Sequence, residues 1–96
     1  MAMKQAYLSA YPDLEPIINR LGYIHLRKGD VSAARQIFHL NVDLFPRSYN
    51  VYDSYGEALM VDNQIEAAIQ NYQRSLELNP ENKNAERVIK RLTSLL

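Results

Sequence analysis

The chain has 96 residues, one domain's worth, and its eleven Lys and Arg balance eleven Asp and Glu to leave no formal net charge. That balance argues against a sequence-independent nucleic-acid binder, which needs surplus cations to neutralise phosphates. No apolar run approaches the roughly 18–20 residues of a membrane span, Met1-Ala2-Met3-Lys4-Gln5 lacks the apolar core of an export signal, and no cysteine is available for a disulfide, a thiol nucleophile or a thiolate zinc site. The expectation is a soluble domain, cytoplasmic for this chain as given and of unknown location for a larger parent, and no task is assigned.

In chain order, residues 2–11 bring Ala6, Tyr7, Ala10 and Tyr11 to one side of a short helix that Pro12-Asp13 ends. Residues 1–14 are thus a helical lead-in. Ile17, Ile18, Leu21, Ile24 and His25 then recur at helical spacing up to Gly29. Asp30 reads as the N-cap of a second helix carrying Val31, Ala34, Ile37, Phe38, Val42 and Leu44. Ser48 caps a third, through Val51, Tyr52, Tyr55, Ala58 and Leu59 to about Val61. Asn63 with Glu66 has the spacing of a capping box for a fourth helix over residues 64–78, which Pro80 stops. Asn82 caps a last helix with Ala85, Val88, Ile89, Leu92, Leu95 and Leu96 on one stripe. No stretch alternates with period two. The expected fold is all-α.

The pattern repeats with a step of 34 residues. Residues 15–48 laid over 49–82 pair Gly22 with Gly56, Ala33 with Ala67, Ala34 with Ala68, Gln36 with Gln70, Leu44 with Leu78 and Pro46 with Pro80. Ile17/Val51, Val31/Ile65, Phe38/Tyr72 and Asp43/Glu77 are conservative pairs in the same register. A mid-helix glycine costs about 0.5–1 kcal/mol relative to alanine, so Gly22 and Gly56 imply a close approach. The expected partner is the facing arm's alanine (Ala34, Ala68), with Phe38 or Tyr72 above it.

These residues resemble the tetratricopeptide repeat. Ile18, Leu21, Gly22, His25, Ala34, Phe38, Asn41 and Pro46, then Tyr52, Tyr55, Gly56, Leu59, Ala68, Tyr72, Ser75 and Pro80, stand at that family's pattern positions. Ile18 or Tyr52 replaces its usual Trp, and His25 its Tyr. The resemblance implies two helix hairpins, 15–48 and 49–82, and a capping helix at 83–96, stacked as a right-handed superhelix. It also implies that the first arms line a concave face. The face positions hold Pro16, Asn19, Tyr23, Leu26 and Arg27, then Asn50, Asp53, Glu57, Met60 and Val61. Such a set can receive a peptide or helix, and it is equally consistent with a solvated face.

A family subtype grips acidic C-terminal peptides through Lys, Arg and Asn. Its positions correspond here to Asn19, Tyr23, Ser54, Asn84 and Val88, none of them basic, so binding of such tails is not expected. A second resemblance covers residues 44–80 and runs into the cap, with FPRSYNVYDSYGEAL and AIQNYQRSLELNPENKNAERVIKRL. It is similar to short tetratricopeptide tails that follow bacterial serine hydrolases, either esterases of the α/β-hydrolase class or β-lactamase-like enzymes. It implies a parent hydrolase whose chemistry lies elsewhere. A free-standing adaptor is the alternative.

Within this chain no nucleophile elbow, phosphate loop, dinucleotide motif or H-E-x-x-H appears. His25 reads as a packed core residue and His39 as a surface one. The expectation is no catalytic centre, no metal and no cofactor, and a protein or peptide partner or an upstream domain. Charge is uneven, with one cation and six acids in 49–82 against four cations and one acid in 83–96. That asymmetry suggests either solvated faces or a homodimer in which the acidic repeat meets a neighbour's basic cap.

Overall fold

The computed structural model describes residues 11–96, which contain five α-helices and no strand. They are α1 (Leu14–Arg27), α2 (Val31–Leu44), α3 (Tyr49–Val61), α4 (Ile65–Leu78) and α5 (Lys83–Thr93). The short helix expected over residues 2–11 lies almost wholly outside the described residues. α1 packs on α2 and α3 on α4 as hairpins, while α2 against α3 and α4 against α5 join the hairpins into one stack. The dimensions are 43 × 31 × 19 Å. The short axis is the thickness of two helices side by side, so the molecule is a two-layer slab of first arms and second arms.

The small residues set the hairpin geometry, with one correction. A Cβ on Gly22 would overlap the Phe38 ring, and one on Gly56 would lie 2.8 Å from Cε2 of Tyr72. The glycines therefore make room for the facing aromatic ring, not for the facing alanine. Ala34 and Ala68 are themselves fully buried. Ala34, Phe38 and Ala58 form the first core cluster, with Tyr23, Leu26 and Tyr55 against it. Leu59, Ala68, Ile69, Tyr72, Ala85 and Leu92 form the second, which α5 closes.

Helix ends agree with the sequence at two places and differ at two. Asp30 accepts from the Ala33 amide at 3.2 Å and Asn82 from the Ala85 amide at 3.1 Å, as N-caps do. Ser48 precedes α3 but makes no cap bond. Its hydroxyl donates instead to Glu15 Oε2 at 3.0 Å, tying α3's start to α1. The capping box at Asn63–Glu66 does not form. Asn63 takes φ 61°, the left-handed conformation that Gly29 takes at φ 83° one repeat earlier, and Gln64 precedes α4 instead. Asparagine tolerates that region better than most residues, so it serves here as a turn residue.

The outer stripe of α1 also differs from expectation. Ile18 is buried, but Ile17, Leu21 and Ile24 are exposed and His25 is only half-buried, its Nδ1 3.7 Å from Asp30. Leu95 and Leu96, expected on the capping stripe, lie beyond the end of α5 and are exposed. His39 is exposed, as read. Of the tyrosines at packing positions, Tyr72 is buried and Tyr52 and Tyr55 are half-buried. Tyr52 donates its hydroxyl to the Pro46 carbonyl at 2.8 Å.

Candidate functional site

First arms one repeat apart lie side by side, so residues about 34 apart in sequence meet across the α1–α3 line. The Tyr23 hydroxyl donates to Glu57 Oε1 at 2.9 Å, and the Ser54 hydroxyl donates to Asn19 Oδ1 at 2.5 Å. One repeat further on, Asn82 Nδ2 reaches both oxygens of Asp53, at 3.2 and 3.0 Å, and the Ser75 hydroxyl at 2.9 Å. A hydrogen-bonded row thus runs from α1 across α3 to the start of α5. Arg27 stacks at its edge, its guanidinium carbon 5.9 Å from the Tyr23 ring centre.

Of the residues assigned to the concave face, the structure joins Asn19, Tyr23, Asp53 and Glu57 into this row and places Arg27 beside it. Leu26 and Met60 are half-buried and pack against the two core clusters, so they support the face more than they line it. Pro16, Asn50 and Val61 are exposed and lie outside the row. In the sequence, Ser75 stands only at a family pattern position, Ser54 only at a position matching the acidic-tail subtype, and Asn82 only as a cap. The Ser54 hydroxyl donates to Asn19, and the Asn82 amide donates both to Asp53 and to the Ser75 hydroxyl. The signal was the near-34 spacing of polar residues, Asn19 to Ser54 and Tyr23 to Glu57.

The electrostatics centre on the two carboxylates. Asp53 and Glu57 are half-buried, and among the described residues neither lies within 4 Å of a Lys, Arg or His nitrogen. Their hydrogen-bond donors, Asn82 and Tyr23, are neutral. Burial pushes the Tyr23 hydroxyl up to about 12, with the charges of Glu57 and Asp53 adding to it and the Ser54 hydroxyl opposing. Burial, then the same two carboxylates, raises Tyr72 as well. Both phenols stay neutral through the physiological range. Arg87 and Arg91 of α5 stand one repeat on from Asp53 and Glu57, exposed, and form no ion pair with them. From α1 to α5 the face therefore reads tyrosine and amide, then carboxylates, then guanidinium groups.

Two open hollows lie elsewhere. One of about 300 Å³ is lined by Ser32, Arg35, Gln36, His39 and Tyr55, and one of about 440 Å³ by Gln73, Leu76 and Glu77. In the first, Arg35 is held by Asp62 at 2.7 Å. Neither hollow brings a nucleophile to a base with an orienting third group. No group of three or more His, Asp or Glu able to hold a metal occurs among the described residues, and no helix there is long and apolar enough to cross a membrane.

Residues 49–82 match the family model of the tetratricopeptide repeat. Among solved structures, the first tetratricopeptide domain of Spaghetti (RPAP3), bound to the HSP90 peptide SRMEEVD, superposes with a TM-score of 0.80 at 22% identity. That match covers 96% of this chain and 73% of that one. The first such domain of human RPAP3 gives 0.80 at 22%, over 95% and 72%. MamA gives 0.77 at 23%, over 95% of this chain and 53% of the other. No curated protein sequence matches. The fold is a tetratricopeptide-like stack of helix hairpins.

Proposed function

We propose that this chain is a non-catalytic binding module that takes an extended segment of a partner protein along the face built by α1, α3 and α5. The observation that carries the reading is the pair of half-buried carboxylates, Asp53 and Glu57, each oriented by a neutral donor and without a cation among the described residues. A carboxylate held out of bulk water without a counter-ion gains when a ligand supplies one, since charge-assisted hydrogen bonds are about twice as strong as neutral ones. The ligand therefore places a Lys or Arg over α3. Arg87 and Arg91 favour an acidic side chain one repeat further on, which fixes the direction in which the segment lies.

This charge order differs from what an acidic C-terminal tail requires. The RPAP3 domain of similar fold holds the peptide SRMEEVD. Here Asn19, Tyr23, Ser54, Asn84 and Val88 offer no cation, while Asp53 and Glu57 repel carboxylates. Titration of labelled twelve-residue peptides by fluorescence anisotropy tests the reading. Peptides with a central Lys or Arg followed by Glu are expected to bind at least 10-fold tighter than SRMEEVD. Asp53→Asn with Glu57→Gln is expected to remove that preference, as is raised salt. Tighter binding of SRMEEVD, or a double variant that binds as the parent does, sinks it.

The sequence of residues 44–80 carries a second reading, in which the module is the C-terminal part of a bacterial serine hydrolase or esterase. The size of the native polypeptide, by immunoblot of source cells, separates the two contexts. A band near the 11.1 kDa of this chain means a free adaptor, and a band several times larger means a parent protein.

A further inference from the structure

The stack repeats one packing surface three times, and among the described residues one copy is open. Val51 and Ala58 on α3 are 1% and 0% exposed, with α2 packed on that helix. Their counterparts on α5, Ala85 and Leu92, are 0% and 2% exposed, under α4. The counterparts on α1, Ile17 and Ile24, are 54% and 40% exposed, and Leu21 between them is 45% exposed. Three aliphatic side chains of α1 thus form a stripe of the kind that a helix covers on α3 and on α5.

The open stripe carries its own complement. At 3.6 residues per turn, Asp13, Ile17, Leu21, Ile24 and Lys28 fall within about 80° of the circumference of α1. The aliphatic residues stand in the middle, with Asp13 just before the helix and Lys28 just after it. Both charged residues are exposed, and neither pairs with an opposite charge among the described residues. Asp13 makes no side-chain cap bond either. Laid antiparallel on a second copy of itself, the stripe sets Ile17 opposite Ile24. The same register sets Asp13 opposite Lys28 and brings Leu21 to the two-fold axis. Parallel pairing would instead set Asp13 against Asp13 and Lys28 against Lys28.

We propose that this stripe is the interface of a two-fold homodimer, in which α1 packs antiparallel on α1 of a second copy. The direction agrees with the rest of the stack. Helices α2 and α4 reach the arms they cover through short turns and so run antiparallel to them. In a two-fold pair each contact occurs twice, so one Asp13–Lys28 pair closes each end of the apolar strip. Helix α1 has 14 residues, about 21 Å of length, and a contact of that length falls below the roughly 1,200 Å² of a stable complex. The dimer is therefore weak and separates on dilution. The aliphatic stripe lies at least about 100° round α1 from Asn19 and Tyr23, which leaves the peptide-binding face open in both copies.

Disulfide trapping in the full chain tests the contact and its direction together. The protein has no cysteine, so each introduced cysteine reports alone. Ile17→Cys and Ile24→Cys chains, mixed and oxidised, are expected to give a disulfide dimer several-fold more abundant than either variant gives by itself. Like positions are offset by seven residues, about 10 Å along the helix, which is beyond disulfide reach. Sedimentation equilibrium of charge-exchanged chains gives a second reading that leaves the aliphatic residues in place. Asp13→Lys and Lys28→Asp are each expected to weaken the dimer about 5-fold or more, since like charges then meet at both ends. Their equimolar mixture restores opposite charges at both ends and is expected to regain the parental dissociation constant. A parent chain that stays monomeric up to about 1 mM overturns the proposal. So does trapping that is as strong within one cysteine variant as in the mixture, and so does a charge-exchanged mixture that associates no better than its components. None of these readouts involves the carboxylates of α3.

Discussion

Gly22 and Gly56 spend helix propensity to seat an aromatic ring, and the two terms can be weighed. Alanine at either site recovers up to about 1 kcal/mol of propensity. Forcing a methyl group into a packed core costs about 1–3 kcal/mol. The Phe38 ring is fully buried and hemmed in by Ala34 and Ala58, so it has nowhere to yield. Gly22→Ala is expected to lower stability by about 1–2 kcal/mol, read as a fall in the urea midpoint at constant slope. Gly56→Ala is expected to cost less, because the Tyr72 ring stands slightly farther off. A rise in the midpoint for Gly22→Ala would mean that the ring moves freely. The glycines themselves were legible in sequence because they broke a propensity rule twice at one spacing. What they face was not legible, since sequence distance does not tell which atom of the opposite arm comes closest.

Among the helices, α3 and α4 matched their expected bounds within a residue, while α5 ended three residues short of its expected stripe and the polar junctions differed. Asn63 and Ser48 each fitted a cap by spacing, yet one became a left-handed turn residue and the other a tie to Glu15. A short polar side chain has several local partners, and tertiary neighbours decide among them. Asn82 shows how much one such residue can join. Its carbonyl caps α5 and its amide reaches Asp53 on α3 and the buried Ser75 on α4. Asn82→Ala loses the cap, about 0.5–2 kcal/mol, and leaves a buried hydroxyl without its partner, about 1–3 kcal/mol more. The net expectation is a loss of about 2–3 kcal/mol. Asn82→Asp keeps the cap acceptor but sets a carboxylate against Asp53. It is expected to cost as much at pH 7 and to regain part of that toward pH 4, as one of the two carboxyls takes a proton. If Asn82→Asp melts like the parent at pH 7, the amide does not hold the three helices together.

For the molecule as a whole, stacking makes stability a matter of neighbours. In a quasi-one-dimensional array each unit gains from its own packing and from the interface on either side. Helix α3 has α2 and α4 on its flanks with α1 alongside, and α4 has α3 and α5. Helix α5 packs chiefly on α4, and α1 carries the exposed Ile17, Leu21 and Ile24. In the sequence that stripe appears only as apolar residues at helical spacing. Periodicity shows that a face is apolar, and only the stack shows whether another helix reaches it. Native-state amide exchange is expected to be slowest in α3 and α4, and faster by about 10-fold or more at the inner amides of α5, a difference of about 1.4 kcal/mol in opening free energy. Protection in α1 depends on its cover. With Ile17, Leu21 and Ile24 exposed, α1 is expected to exchange faster than α3. Equal protection in all five helices would mean that the stack opens only all at once and that the end helices gain as much from one neighbour as the inner ones do from two.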